Sequence, residues 1–399
     1  TFNRFADLRY LGQAYELTVP IPAGSLNKET IANLTEDFEV EHEKTYGHRF
    51  PGKKSVHVIS LRLTGTLISE DNRLIDAKST FDKTKTAFRK SKRMAYFGPE
   101  LGQVETTVLN CRAMLDNKSI EGPLVIEEYE GTVVVPPGSR ACLDEWGNIV
   151  IDIESPKENL KLSAQLVDPY RLEVFKNSFD TIADEMTLII LRTAYSAIVR
   201  DTMDYSTAIC DSNGLTLAQG LTTPMHLGSF YDAMQHLIKQ YHDKIYPGDV
   251  FIGNDPFSAA GQHLPDIYVV KPIYFRNELK GWSTTLAHHS DVGGIVAGSN
   301  ALGATEVWQE GFRIPVLKLV DKGVRNETLW KLIGLNVRTP ELVYGDLQAQ
   351  MAACATGARG MVDLYERYGV ETIDQAIEDL NDYARRLAAA EISDIPNGT

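Results

Sequence analysis

The stretch Gly261–Gly294 reads GQHLPDIYVVKPIYFRNELKGWSTTLAHHSDVGG, and it places two β-branched runs between loops that carry histidine and aspartate. Ile267–Pro272 and Gly281–Ala287 fit strands, because short apolar runs bounded by turn residues favour the extended chain. A turn-rich loop delivers His263, and the restriction that Pro265 places on its predecessor holds the backbone extended before Asp266. Working outward, Val250–Ile252 and Ser206–Cys210 fit further strands, with a turn at Asp211-Ser212-Asn213-Gly214 and a helix over Ser229–Tyr241. Upstream, Leu172, Phe175, Phe179, Ile182, Met186, Ile189 and Thr193 form one mostly apolar stripe, which predicts a long amphipathic helix ending near Val199. Downstream, Pro340 to Ala390 reads as two helices separated near Gly369.

Residues 1–155 read differently. Tyr15–Ile21, Val56–Leu63, Leu124–Ile126, Thr132–Val135 and Asn148–Ile153 are β-rich, with turns at Pro136-Pro137-Gly138 and Trp146-Gly147-Asn148 and one helix at Lys28–Tyr46. Six Lys or Arg residues fall in residues 82–95, which read as a solvated loop or a contact with an acidic neighbour. Ser155–Asn159 ends the β pattern, so a linker is placed at 156–168 and a second domain at 169–399. The fold class is α+β: a β-rich amino-terminal domain, then a mixed α/β domain with long amphipathic helices.

The 399 residues are 43% apolar and 24% charged, as in an ordinary globular protein. A net charge of −14 repels phosphate backbones and anionic lipid, which argues against nucleic acid and the membrane surface as partners. A mean hydropathy of −0.20, with no apolar run of spanning length, argues against a transmembrane helix. No signal peptide is visible. Cys111, Cys142, Cys210 and Cys354 are scattered without CxxC spacing, which reads as reduced thiols in a cytoplasmic protein. The opening Thr1-Phe2-Asn3 lacks an initiator Met and reads as a processed product or a piece of a longer chain.

Six of the nine histidines lie between His226 and His289. His263 and Asp266, three apart, can converge on one ion if their loop curls; alternatively the pair is a hydrogen-bonded loop clamp. Ala287–Gly294 adds His288, His289 and Asp291 at a strand end. Successive strand residues point to opposite faces, so only one of the two histidines can join such an ion. A mixed N/O donor set suits Zn²⁺, Mn²⁺ or Fe²⁺. Asp204, after the long helix, is either a further carboxylate or a loop residue bonding its own backbone. Asn254-Asp255-Pro256 stands at a site mouth or is a plain turn. Glu306 and Glu310 share one side of a helical turn or form a solvated surface. Gly293, Gly294 and Gly298 could offer backbone N–H groups to an anion. Neither a phosphate loop of the GxxxxGKS/T type nor a GxSxG elbow is present.

The runs NDPFSAAGQHLPDIYVVKPIYF, LAHHSDVGGIVAGS and EVWQEGFRIPVLKL resemble the hydantoinase B family, which includes the B half of 5-oxoprolinase, N-methylhydantoinases and subunits of ATP-dependent acetone and acetophenone carboxylases. VDPYRLEVFKNSFDTIADEM, RDTMDYSTAICDSNGLTLAQG and MHLGSF match the family's amino-terminal pattern, extending the resemblance over Asp168 to Arg386. LRYLGQAYELTVPIP, FEVEHEKTYGHRF, EGPLVIEEYEGTVVVPPG and LDEWGNIVI resemble the carboxy-terminal end of a hydantoinase A unit.

This resemblance implies a divalent metal on His263, Asp266 and His288, with Asp204 as an additional carboxylate that also serves as general base. His289 and Asp291 are implied in catalysis or beside the ligands, and His226, Asn254, Asp255 and Glu310 as ligand neighbours or substrate contacts. It implies ATP and Mg²⁺ on an ATPase unit of the hydantoinase A type outside these residues, and a B-type portion that is incomplete. The assembly implied is a homo- or hetero-oligomer. The implied reaction is opening of a lactam or imide ring after carbonyl phosphorylation. The alternatives are carboxylation of a ketone and a non-catalytic structural component of such a complex.

Overall fold

In the computed structural model the described residues are 1–52, 54–67, 88–99, 101–115, 119–129, 131–144, 146–153, 169–259, 261–393 and 395. The proposed linker at 156–168 and residues 82–87 of the basic run lie outside them. The chain divides into two compact units, one of Thr1 with Thr66–Lys161, the other of Phe2–Gly65 with Leu162–Thr399. Residues 2–65, which sequence patterning groups with the β-rich part, fall in the same compact unit as 162–399. Among the described residues no helix is long and apolar enough to cross a membrane.

The second unit opens with β1 (Phe2–Tyr10), β2 (Leu17–Ile21), α1 (Lys28–Tyr46) and β3 (Val56–Gly65). The strands form a sheet in the order β2-β1-β3. Helix α1 has the bounds its sequence predicts. The Asn27 side chain accepts from Thr30 N at its start, and Gly47 in the left-handed conformation ends it. Leu34 and Phe38 pack on Ala6, Leu8 and Tyr10 of β1. Strand β1 was not expected from the sequence; its inward side chains make this core.

The first unit holds β4 (Lys90–Tyr96), β5 (Gln103–Leu109), β6 (Ile120–Glu121), β7 (Leu124–Glu127), β8 (Thr132–Val135), β9 (Arg140–Leu143) and β10 (Ile149–Asp152), paired as β4-β5-β7-β8 and β10-β9-β6. Part of the basic run is therefore strand, not loop. Its charges do meet acidic neighbours, Lys92 with Glu105 at 2.6 Å and Arg93 with Glu127 at 2.7 Å.

The remainder contributes α2 (Pro169–Thr193), α3 (Ala197–Asp201), β11 (Tyr205–Asp211), β12 (Thr216–Gln219), α4 (Leu227–Tyr241), β13 (Val250–Gly253), β14 (Asp266–Phe275), β15 (Glu278–His288), β16 (Leu317–Asp321), β17 (Val324–Arg325), α5 (Glu327–Asn336), α6 (Pro340–Tyr368) and α7 (Val370–Ser393). The strands build a seven-stranded antiparallel sheet in the order β12-β11-β15-β14-β13-β16-β17. Alternation along the strands sorts its two faces. Ala208, Cys210, Tyr268, Val270, Trp282 and Leu286 meet Phe230, Met234 and Leu237 of α4. Ile209, Ile273 and Ala287 meet the α2 stripe, α6 and α7 on the other face.

The long helix stops at Thr193, six residues short of its sequence expectation. The reason lies on α6. One oxygen of the buried Asp346 carboxylate accepts from Tyr195 N at 2.7 Å and Ser196 N at 3.0 Å, amides that continued helix would have bonded internally.

His42 is 1% exposed; its Nδ1–H donates to His48 O at 2.7 Å, so its Nε2 accepts from Gln13 Nε2 at 3.0 Å. Burial, reinforced by His48, pushes its pKa down to about 4. The unfolded chain takes up this proton near its ordinary value of 6.5 while the folded chain resists until about 4. Stability is thus full above that ordinary value and falls by up to about 3 kcal/mol on acidification to the lower one. Urea unfolding across this range should show the loss, and His42→Asn, which keeps the donor, should show less of it.

Candidate functional site

Three strand ends of the large sheet lie side by side. Tyr205 pairs with Ala287, and Asp266 pairs with His288. His288 N also donates to Asp204 O at 3.0 Å, one step before β11. Residues directly opposed on antiparallel strands face the same side. Asp204, His288 and Asp266 therefore form a row across β11, β15 and β14, on the face covered by α4. Met203 adopts a left-handed φ of 54°, an uncommon conformation for its type, and Thr223 Oγ1 donates to its carbonyl at 3.1 Å. That turn presents Asp204.

Two more side chains reach this row from loops. His263 comes from the turn before β14, where Asp266 N donates to His263 O at 3.0 Å. Buried Asn254 fixes that turn: its amide donates to Leu264 O at 2.7 Å and Phe312 O at 3.0 Å and accepts from Ile314 N at 2.6 Å. A Cβ on Gly261 would lie 2.0 Å from Asn254 O, so only glycine lets the turn close. His226 arrives at the amino-terminal end of α4.

The electrostatics follow from who donates. Ser206 gives its only hydroxyl proton to Thr223 O at 2.5 Å, so its oxygen accepts from His226 Nδ1–H at 3.0 Å. That tautomer leaves a lone pair on His226 Nε2, 3.7 Å from Asp204 Oδ1 and 3.8 Å from Asp266 Oδ1. Burial lowers the His226 pKa below its ordinary value, against the pull of Asp266 and Asp204. His263 Nδ1 donates to Asp266 Oδ2 at 2.7 Å, which raises its pKa, with Asp204 and Glu310 adding to the pull. Asp266 is 1% exposed, and its Oδ1 has no hydrogen-bond partner among the described residues; neither has His288 Nδ1. The His288 ring lies 4.9 Å from that of His263. Asp204 and His263 keep solvent access, with side chains 30% and 41% exposed.

These five side chains are nitrogen and oxygen donors of the kind that hold Zn²⁺, Mn²⁺ or Fe²⁺. The orphaned Asp266 oxygen and the proton-free His226 nitrogen fit such an ion. Among the described residues no three His, Cys, Asp or Glu side chains stand as a preformed metal cage. Burial pushes the Cys210 and Cys354 thiols up to about 12, so neither is a ready nucleophile.

Other candidates from the sequence go elsewhere. His289 faces the opposite side of the sheet, fully buried, with Nε2 3.0 Å from Gln350 Oε1. Burial pushes its pKa down, opposed by Asp346. Asp291 locks a loop: Arg338 Nη1 meets it at 2.9 Å, and it accepts from Gly293 N, Gly298 N and Arg338 N. Two of the three glycine amides that could have cradled an anion, those of Gly293 and Gly298, are already used by this carboxylate. Neither His289 nor Asp291, expected in catalysis, is among the side chains gathered around Asp266. Asp255 is held by Arg313 at 2.7 Å and by Ser258 N at 3.0 Å. Glu306 forms a capping box with Gln309 over a short turn. Sequence reasoning missed Ser206, the residue that sets the His226 tautomer. The signal was present, since Ser206 lies two residues from Asp204 and thus on the same strand face.

Asn254→Ala strips the three bonds that shape the His263 turn. It should cost about 3 kcal/mol in chemical denaturation, as expected for several buried hydrogen bonds, and speed amide exchange over 261–266.

The chain is similar to known proteins over both of its parts. The family model for hydantoinase B/oxoprolinase matches residues 168–399, and that for the hydantoinase/oxoprolinase C-terminal domain matches residues 1–151. The caprolactamase subunit beta of Pseudomonas jessenii is 37% identical over 58% of this chain and 40% of its own length. The 5-oxoprolinase 1 of Arabidopsis thaliana is 26% identical over 98% of this chain and 32% of its own. The crystal structure of the ATP-dependent caprolactamase from Pseudomonas jessenii superposes with a TM-score of 0.55, covering 58% of this chain and 40% of that one. Acetone carboxylase, at 19% identity and a TM-score of 0.51 over 54% of this chain and 28% of its own, shares the fold. The chain spans about a third to two-fifths of the length of the curated relatives named here. With the A-type match preceding the B-type match along one polypeptide, the chain belongs to the hydantoinase/oxoprolinase family.

Proposed function

We propose that this chain is part of an ATP-dependent hydrolase that opens a lactam or imide ring, and that the ring opens at the Asp204, His226, His263, Asp266 and His288 cluster. One observation carries the reading. A lone pair on His226 Nε2 is held toward two carboxylate oxygens, one of them buried and unpartnered, with no proton left to share. Such a grouping is stabilised by a cation, since buried acceptors without a donor are costly.

Asp266, His263 and His288 would hold a divalent ion, with Asp204 as a further carboxylate and His226 as a further nitrogen. When bound, the ion supplies a Lewis acid and lowers the pKa of water on it. Asp204, at the solvent edge, is placed to take a proton as general base. The proton that Asp204 takes up is then available to the leaving nitrogen, while His263 keeps its Nδ1–H on Asp266. Ser206 and Asn254 keep His226 and the His263 turn in position.

ATP and Mg²⁺ would be handled by an ATPase unit of the hydantoinase A type, which phosphorylates the carbonyl oxygen before ring opening. The named relative called a subunit beta supports a hetero-oligomer. Ring hydrolysis is favoured over ketone carboxylation by the A-then-B order, which the Arabidopsis thaliana 5-oxoprolinase shares across 98% of this chain.

Metal analysis tests the cluster. The wild-type protein should carry a stoichiometric divalent ion, and His263→Ala and Asp266→Ala should lose it. Ser206→Ala should bind it roughly 10–100-fold more weakly, as when the partner of a ligand histidine is removed. A metal-free wild type, or variants that keep full metal, would sink the assignment. For the reaction, ATP consumption by the complete assembly should depend on 5-oxoproline or a hydantoin. Consumption that instead requires a ketone and bicarbonate makes it a carboxylase.

A further inference from the structure

On the opposite face of the large sheet, a cavity of about 530 Å³ opens between the Gly47–Pro51 turn, the β13, β16 and β17 end of the sheet, Trp330 of α5 and helix α6. Lys271 stands on β14 an odd number of residues from Asp266, so its side chain leaves the face away from the histidine cluster. The volume lies within the range of small-molecule sites. Its charge is unusual for this protein: Arg49, Lys271 and Arg325 line it, and none of the described lining residues is acidic, although the chain as a whole carries −14.

Most of that positive charge is already answered. Arg49 pairs with Glu36 at 3.0 Å and Glu43 at 3.1 Å. Arg325 pairs with Glu327 at 3.3 Å and lies 4.0 Å above the Trp330 ring. Lys271 is different: its side chain makes no ion pair or hydrogen bond with any described residue, and burial lowers its pKa below the ordinary lysine value, against a weaker pull from Cys354 and Asp249, the latter already paired with Lys318 at 2.9 Å. The half-buried Lys271 side chain brings its ammonium to the cavity outside any ion pair, so an anion bound there gains a charge-assisted contact. The rest of the wall is apolar, with Val250, Met351 and the Trp330 ring.

We propose that this cavity binds a small organic monocarboxylate, its head group on Lys271 and its apolar body against Trp330, Met351 and Val250. One lining cation outside any ion pair matches one negative charge, which favours a carboxylate over a phosphate ester. The apolar wall requires a hydrocarbon body. The cavity is closed on one side by the turn after α1, so occupancy ties the A-type segment to the B-type body. This makes it a ligand site distinct from the proposed metal cluster and independent of whether that cluster holds metal.

Isothermal titration of the wild-type chain with hexanoate, hexanamide and inorganic phosphate tests this. Hexanoate should bind saturably while hexanamide and phosphate do not. Lys271→Met should weaken hexanoate at least tenfold without loss of fold, because it removes a charge that makes no ion pair or side-chain hydrogen bond. Arg325→Gln serves as a second variant and should weaken it severalfold. Asp266→Ala should leave hexanoate binding unchanged, separating this site from the metal cluster. Absence of hexanoate binding, equal binding of hexanamide, a preference for phosphate, or binding that follows Asp266 instead of Lys271 would each overturn the proposal.

Discussion

The structure of the candidate site depends on one constraint, the register of three antiparallel strands. Because Tyr205 lies opposite Ala287 and Asp266 opposite His288, Asp204, His288 and Asp266 share a row and a face. A one-residue slip on β15 would exchange His288 for His289 and turn the cluster's imidazole into the α6 side. The register is held by the apolar residues that alternate along the same strands. Leu286 and Tyr268 must reach α4 while Ala287 reaches the core of α2 and α6. The same alternation that buries the core therefore selects which histidine faces the carboxylates.

Around that row the protein has placed polar groups whose work is positional. Asn254 and Gly261 shape the turn that carries His263, and Ser206 fixes a tautomer. On the far side, Gln350 is also fully used: it meets His289 through its oxygen and donates to Ile267 O at 2.9 Å. A buried polar network with each member assigned a donor or acceptor role is rigid. Within that frame the Asp266 Oδ1 and His288 Nδ1 atoms remain buried without a hydrogen-bond partner among the described residues, beside the His226 lone pair.

Much of the architecture was legible in the sequence. Helix α1 has its predicted bounds because Asn27 and Gly47 are local caps that act whatever packs above them. The two carboxy-terminal helices part at Gly369, as read, because that break is also local. The end of α2 was not legible, because the carboxylate that accepts its exit amides sits on Asp346, about 150 residues away in sequence. The strand at Lys90–Tyr96 was hidden by its own charges, which are satisfied across strands by Glu105 and Glu127.

The candidate site divides along the same line. Sequence alone determined the residue types and their clustering: His263 with Asp266 on one turn, the His288–His289 pair at a strand end, and Asp204 after a long helix. It also determined that only one of the paired histidines could join the others, since adjacent strand residues face opposite ways. The family resemblance implied His288; the tertiary structure puts His288 on the face of Asp204 and Asp266, draws His226 into the cluster and sends Asp291 to Arg338. Those outcomes rest on the pairing of strands and on hydrogen bonds between residues distant in the chain; local alternation sets which face a side chain takes, but not which distant group meets it there.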